Sequence, residues 1–327
     1  MLSSKPSNAF FKWLSESNGA VYSDLQNDIH RYQEGDLPKT SVRIIRLIYS
    51  QGQTQEIVEN WLSNIGSICY VCRLERTVTL LGIEVAICES ENFGDLSVLS
   101  GCDDLIVFEV KKRLPSLNQP GLLVMDMDST AIQIECIDEL AERAGVGKAV
   151  SEITELAMQG ELDFEQSLRK RVGLLKGLNE SVINELCNAL PLTAGLIDIV
   201  TVLKSYGWHI AVASGGFTPF VQHLKDTLGL DAAYANNLVV EKGNVTGELS
   251  GEIVDAEFKA HVVDILESRY KVEHGQIIAI GDGANDIPML NSSGFGIGYF
   301  PKLQLKVVAD ACIEKFDLRV LLFFLSK

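Results

Sequence analysis

Residues 121–130 read GLLVMDMDST: an unbroken apolar run, then two aspartates separated by one methionine. A short apolar run closed by polar turn residues predicts a strand buried on both faces. If the chain stays extended past Met125, Asp126 and Asp128 point the same way. Two carboxylates side by side at a strand end repel, and either a divalent cation or protonation of one of them relieves this. Both arrangements suit phosphoryl transfer, with one group attacking phosphorus and the other giving a proton to the leaving alcohol. The plainer alternative is a turn with a helix-capping Asp and Ser.

Two more runs share this construction: HIAVA (209–213) before Ser214, and QIIAI (276–280) before Gly281. Continuous apolar strands alternating with helical stretches predict a Rossmann-like parallel sheet covered on both faces, with ligands outside the carboxyl ends of its strands. SGG (214–216) leads through Thr218 and Pro219 toward a helix whose first N–H groups would face an anion. GDGANDIPML (281–290) sets Asp282 and Asp286 at another strand end, and hard oxygen ligands of this kind suit Mg²⁺. Each loop alone is also an ordinary glycine or aspartate turn. All three at one edge of one sheet predict a shared site.

The stretch between the first two runs is longer than one crossover helix requires. Segments 138–144, 150–158 and 164–175 look helical, with Gly145, Gly147 and Gly160 as breaks, so residues 134–195 are expected to form an inserted helical cap.

DMDST (126–130), the SGG loop, Lys259 and GDGAND (281–286), in that order, resemble the four motifs of the haloacid dehalogenase-like (HAD) superfamily. The longer string DMDSTAIQIECIDELA (126–141) is similar to the phosphoserine phosphatases. The resemblance covers about residues 120–320. It implies Mg²⁺-dependent hydrolysis of O-phosphoserine to serine and phosphate, the last step of serine biosynthesis, through an aspartyl-phosphate. Carried over by position, Asp126 is the nucleophile, and Asp128 is the general acid that later becomes the base. The metal would be held by the Asp126 carboxylate, the Asp128 carbonyl and the Asp282 carboxylate, with Asp286 supporting its waters. Ser214, Gly215 and Lys259 would hold phosphoryl oxygens, and Asn285 would orient the phosphoryl group or the water. Glu135 would meet the substrate ammonium and Arg171 its carboxylate in a bidentate fork, beside an apolar wall of Met158 and Phe164. Without the resemblance, Lys259 reads as a solvated surface lysine, Glu135 and Arg171 as exposed helix charges, and Met158 and Phe164 as core.

Residues 42–110 read as a small α+β domain. Strand-like runs fall at 42–48 (VRIIRLI, its arginines at the more exposed side or an edge), 68–72, 78–88 and 105–110. A helix is expected after Thr54, as its cap, and a short one at 95–99. The order βαββαβ fits a ferredoxin-like unit and resembles the ACT-type amino-acid-binding domains. KKRLPSLNQPG (111–121) is the linker candidate. The expected domains are therefore an N-terminal α+β domain over residues 1–115, regulatory or dimerising, and a HAD-like phosphatase domain over 120–327. A dimerising role would make the protein a homodimer through the first domain.

The chain has 327 residues and a formal charge of −16, spread along its length. Such a surface repels nucleic acid and anionic lipid, so neither is an expected partner; a phosphate site here must be positive locally. No apolar run reaches the ~20 residues of a membrane span, and residues 1–17 lack a secretory signal. The expected compartment is the cytoplasm, where seven cysteines do not make a disulfide framework. Cys69 and Cys72 form a CxxC, but on a strand their spacing points them to opposite faces, which favours ordinary thiols over a metal or redox pair. The five histidines have no metal-ligand spacing.

Two alternatives stand beside phosphoserine hydrolysis. One keeps the chemistry but makes the chain a phosphotransferase or a phosphatase for another small phosphomonoester. The other makes it chiefly an amino-acid sensor through its N-terminal module.

Overall fold

A computed structural model describes residues 20–23, 29–32, 42–50, 53–63, 69–88 and 96–326 of the chain. They fall into two units: one from Met1–Leu114 with Glu314–Ser326, the other from Pro115–Ile313.

The first unit holds strands β1 (Ala20–Ser23), β2 (Ile29–Tyr32), β3 (Val42–Tyr49), β4 (Cys69–Leu74), β5 (Leu81–Cys88) and β6 (Leu105–Val110), with helices α1 (Gln53–Ser63) and α2 (Ser97–Ser100). Its sheet order is β2-β1-β4-β5-β3-β6. Strands β3 and β4 both pair antiparallel with β5, so these two strands, joined by α1, are parallel and split by it. This is consistent with the expected βαββαβ order, with β1 and β2 added at one edge of the sheet. Period-two patterning fills the core: Ile45, Leu47 and Tyr49 of β3 and Ile83, Val85 and Ile87 of β5 pack with Val58 and Trp61 of α1 and with Leu99.

Three local expectations change here. Thr54 lies inside the first turn of α1 and is buried, rather than capping it. Val78 falls in the turn before β5 and is 99% exposed. The arginines of β3 are three apart and so face opposite sides: Arg43 pairs with Glu109, but Arg46 is buried. Its guanidinium lies 2.7 Å from Glu84 and donates to the carbonyls of Phe323 (2.7 Å) and Leu325 (2.9 Å). Those carbonyls belong to the C-terminal stretch, whose 3₁₀ segment Leu318–Phe324 buries nearly all its side chains. Residues 68 and 95 and the Cys69 side chain, which the CxxC expectation needs, lie outside the described residues.

The second unit carries β7 (Leu122–Met125), β8 (His209–Phe217), β9 (Ala232–Glu241), β10 (Asn244–Ser250), β11 (Ile277–Gly281), β12 (Phe295–Tyr299) and β13 (Ala311–Ile313), in the order β10-β9-β8-β7-β11-β12-β13. All neighbours are parallel except the β9–β10 pair. That hairpin turns on Lys242 (φ 49°) and Gly243 (φ 77°), the paired positive φ of a two-residue loop. In β7 and β11 every side chain on both faces is fully buried, as the unbroken apolar runs require.

Helices α3 (Cys136–Arg143), α4 (Gly147–Met158), α5 (Phe164–Leu174) and α6 (Glu180–Asn188) fill the stretch expected to be a cap, and α7 (Leu196–Ser205) leads back to β8. Gly145 (φ 74°) and Gly160 (φ 81°) break the chain in the left-handed region. Gly147 does not; it is the first residue of α4. The remaining helices are α8 (Thr218–Leu228), α9 (Ala256–Tyr270), α10 (Ile287–Asn291) and α11 (Leu303–Val308). Among the described residues, no helix is long and apolar enough to cross a membrane.

Candidate active site

Four neighbouring parallel strands, β8, β7, β11 and β12, deliver the site from their carboxyl ends. Extended pairing runs one residue past β7: the Asp126 N–H donates to the Ile280 carbonyl at 2.9 Å. The chain then coils into an irregular turn over Met127–Ala131, where Asp128 keeps extended angles and Ser129 takes a positive φ of 57°. Asp126 and Asp128 consequently reach the same pocket. Asp128 accepts from the Cys136 N–H at 3.4 Å, and Ser129 Oγ donates to Glu135 at 2.8 Å, fixing the start of α3 to the turn.

The SGG segment lies within β8 rather than in a separate loop, and the pairing of β8 with β9 shifts register between Ala213 and Phe217; α8 then starts at Thr218, with Pro219 in its first turn, as expected. Ser214 is fully buried, and its Oγ accepts from the Gly216 N–H at 2.9 Å. A Cβ on Gly216 would lie 3.0–3.1 Å from side-chain atoms of Met127, Ser214 and Asp128 and would crowd them.

Lys259 occupies the centre. Its ammonium donates to Asp126 Oδ1 at 2.6 Å and to Asp286 Oδ1 at 2.8 Å, and the residue is 1% exposed. The bottom-up expectation of a solvated lysine fails here. The signal was present: Lys259, Val262, Val263 and Leu266 recur at helical spacing on the buried face of α9. Burial opposes its charge, but the two carboxylates outweigh this and raise its pKa.

Asp286 stands behind the pocket rather than lining it. One oxygen takes Lys259, and the other accepts from the N–H groups of Asp282 and Gly283, both at 3.1 Å. Gly281 has no Cβ, which leaves the space this carboxylate fills.

Oxygens of Asp126, Asp282 and Asp286 lie within 4.8 Å of one another. Burial, then the Asp286 charge, push the Asp126 carboxyl well up; burial also raises Asp282. Buried carboxylates this close, with one shared ammonium between two of them, fit a hard divalent cation taking oxygen ligands. Asp128 is pushed up to about 7 by burial and by the nearby Glu135.

The pocket brings together Asp126, Asp128, Glu135, Phe164, Arg171, Ser214, Gly215, Lys259, Asp282 and Asn285. Glu135, the residue before α3, and Arg171, in the last turn of α5, approach from the cap helices. Arg171 leaves its buried Nε without a hydrogen-bond partner. Met158 ends α4, but its side chain lies outside the described residues. Ile137, Leu168, Phe217 and Lys302 also line the pocket and were not anticipated. The first three carried no signal beyond apolar periodicity. Lys302 had one: it follows β12, a fourth apolar run (FGIGY, 295–299) ending at the same sheet edge.

Residues 123–291 match the model of the haloacid dehalogenase-like hydrolases. The chain is 51% identical over 212 residues to a phosphoserine phosphatase of Haemophilus influenzae, which covers 65% of this chain and 68% of that one. The crystal structure of a probable phosphoserine phosphatase from Vibrio cholerae, unliganded, superposes with a TM-score of 0.72 at 37% identity, over 86% of each chain. A substrate-bound phosphoserine phosphatase complex superposes with a TM-score of 0.60 at 40% identity, over 64% of this chain and 99% of that one. With three of its motifs at adjacent strand ends, the fourth, Lys259, on α9, and this likeness across its second unit, the chain belongs to the haloacid dehalogenase-like hydrolases, among which these relatives are phosphoserine phosphatases.

Proposed function

We propose that the protein hydrolyses O-phosphoserine to serine and phosphate, with Asp126 as nucleophile. The observation that carries this is the Lys259 bridge. The ammonium takes Asp126 Oδ1 and Asp286 Oδ1, so Asp126 Oδ2 is not engaged by it, and Asp126 shares the pocket with one acid, Glu135, and one guanidinium, Arg171, from the cap helices. A dianionic ester with an ammonium and a carboxylate at its other end matches that polarity: phosphate toward Lys259 and Ser214, ammonium toward Glu135, carboxylate toward Arg171.

In the first step Asp126 Oδ2 bonds to phosphorus while the ester P–O bond breaks and Asp128 protonates the departing serine oxygen. In the second, Asp128 takes a proton from water, the water oxygen bonds to phosphorus, and the P–O bond to Asp126 breaks, releasing inorganic phosphate. Asp128 suits both tasks because a carboxyl titrating near 7 exchanges protons readily at neutral pH. Ser214 and the Gly215 backbone hold the transferring oxygens, and Asn285 orients the phosphoryl group or the water. Asp126, the Asp128 carbonyl and Asp282 would hold Mg²⁺, with Asp286 behind them. When bound, the ion offsets the repulsion between these carboxylates and the incoming dianion.

Release of phosphate from a panel of phosphorylated small molecules, with and without Mg²⁺, tests the whole reading; phosphoserine should stand above the rest and depend on the ion. Asp126→Asn should abolish turnover with the fold intact, and activity persisting in a rigorously purified sample would refute the nucleophile. Arg171→Ala should raise KM for phosphoserine sharply while leaving an ester without a carboxylate little changed. Equal effects on both would point to another small phosphomonoester.

The helices between residues 134 and 195 act, on this reading, as a cap. The N-terminal domain serves regulation or dimerisation, and the compartment is the cytoplasm.

A further inference from the structure

Lys302 is the pocket's least confined cation. Its side chain is 70% exposed, yet its ammonium lies 3.3 Å from Asp282 Oδ2. The backbone fixes its position: its N–H donates to the Asp282 carbonyl at 2.8 Å, tying the end of β12 to the loop after β11. Lys259 is confined between two carboxylates, and Arg171 approaches from the cap.

The charges show why a third cation belongs there. Asp126, Asp128, Glu135, Asp282 and Asp286 place five carboxylates in or directly behind the pocket, against Lys259, Arg171 and Lys302. With Asp128 holding the proton that it gives to the leaving group, a divalent cation leaves that balance one charge positive as the dianion enters. Without Lys302, the same cation leaves the site neutral, with no net attraction for phosphate.

We propose that Lys302 is a positioning residue for charge. Its ammonium is the standing counter-ion of Asp282, competing with the divalent cation, and at the mouth it draws in the phosphate dianion. It thereby weakens cation binding and strengthens anion binding. This rests on the functional reading above, because the cation and the dianion are those of that reaction.

Lys302→Met keeps the length and removes the charge, and opposite shifts are expected. Titration calorimetry on the metal-free protein should give a Kd for Mg²⁺ several-fold tighter than wild type. Inorganic phosphate, titrated into the Mg²⁺-loaded protein, should bind several-fold more weakly and with a shallower salt dependence. Lys302→Arg should restore both constants. Shifts in the same direction, or unchanged binding of either ion, would overturn the proposal, since loss of packing or of loop order weakens both. A wild type that binds both ions but leaves phosphoserine intact would count against the substrate reading and not against the role of Lys302.

Discussion

At Asp128 the requirements of chemistry and stability oppose each other. Its carboxyl is pushed from the ordinary 3.8 to about 7, chiefly by burial. A carboxyl raised on folding favours the native state below its unfolded pKa, and that contribution is lost as pH rises through the folded value. In EDTA, Asp128→Asn should therefore melt higher than wild type at pH 8, with the difference opening between about pH 4 and 7. The same variant should be inactive for want of a proton donor. Melting curves that stay superimposed across that range would show that Asp128 does not titrate as described. Lys259 has the converse character. Lys259→Met removes the cation shared by two buried carboxylates, at a cost of about 3–5 kcal/mol, and urea unfolding at pH 8 should show it. Acid should narrow the gap, because Asp126, whose carboxyl is raised by burial, no longer needs the partner once protonated.

At the scale of elements, the site depends on strand ends that keep their backbone groups paired while turning sharply. Gly281 is the clearest case. A methyl group there would collide with the Asp286 carboxylate, which must then leave the N–H groups of Asp282 and Gly283. Gly281→Ala should lower kcat roughly 10²-fold through misplacement of Lys259. The far-UV spectrum should be unchanged. Wild-type turnover in that variant would mean that the Asp286 seat is dispensable. The cap helices contribute differently: Glu135 and Arg171 come from the ends of α3 and α5, and Ser129 holds the Glu135 carboxylate at 2.8 Å.

At the scale of the whole molecule, the chain's end belongs with its beginning. Arg46 holds the carbonyls of Phe323 and Leu325 and the carboxylate of Glu84 in the first unit. Replacing it with methionine removes the donor to a largely buried carboxylate and to the Phe323 carbonyl, while the Leu325 carbonyl keeps Arg76 at 2.9 Å. Arg46→Met should cost about 3 kcal/mol, read as a lower urea midpoint for the N-terminal unit, while turnover per folded molecule holds. An unshifted midpoint would show the tail to be held by its apolar side chains alone.

Local patterning was enough to predict the parallel sheet, the split βαβ order and the three loops. An apolar run ending in Asp or Gly marks a doubly buried strand that stops at a ligand, and that period is written in consecutive residues. Asp126, Asp128, Asp282 and Asp286 were legible for that reason, and Glu135 and Arg171 through the resemblance. Lys259 was legible only through the resemblance, and Lys302 and Arg46 were not legible from composition, because a lone basic residue reads as solvated until its partners are known. Those partners lie 133, 20 and 38 residues away in the chain. Only the folded sheet brings such carboxylates within hydrogen-bond reach, and the cost of burying a charge then decides which lysine faces water and which holds the site together.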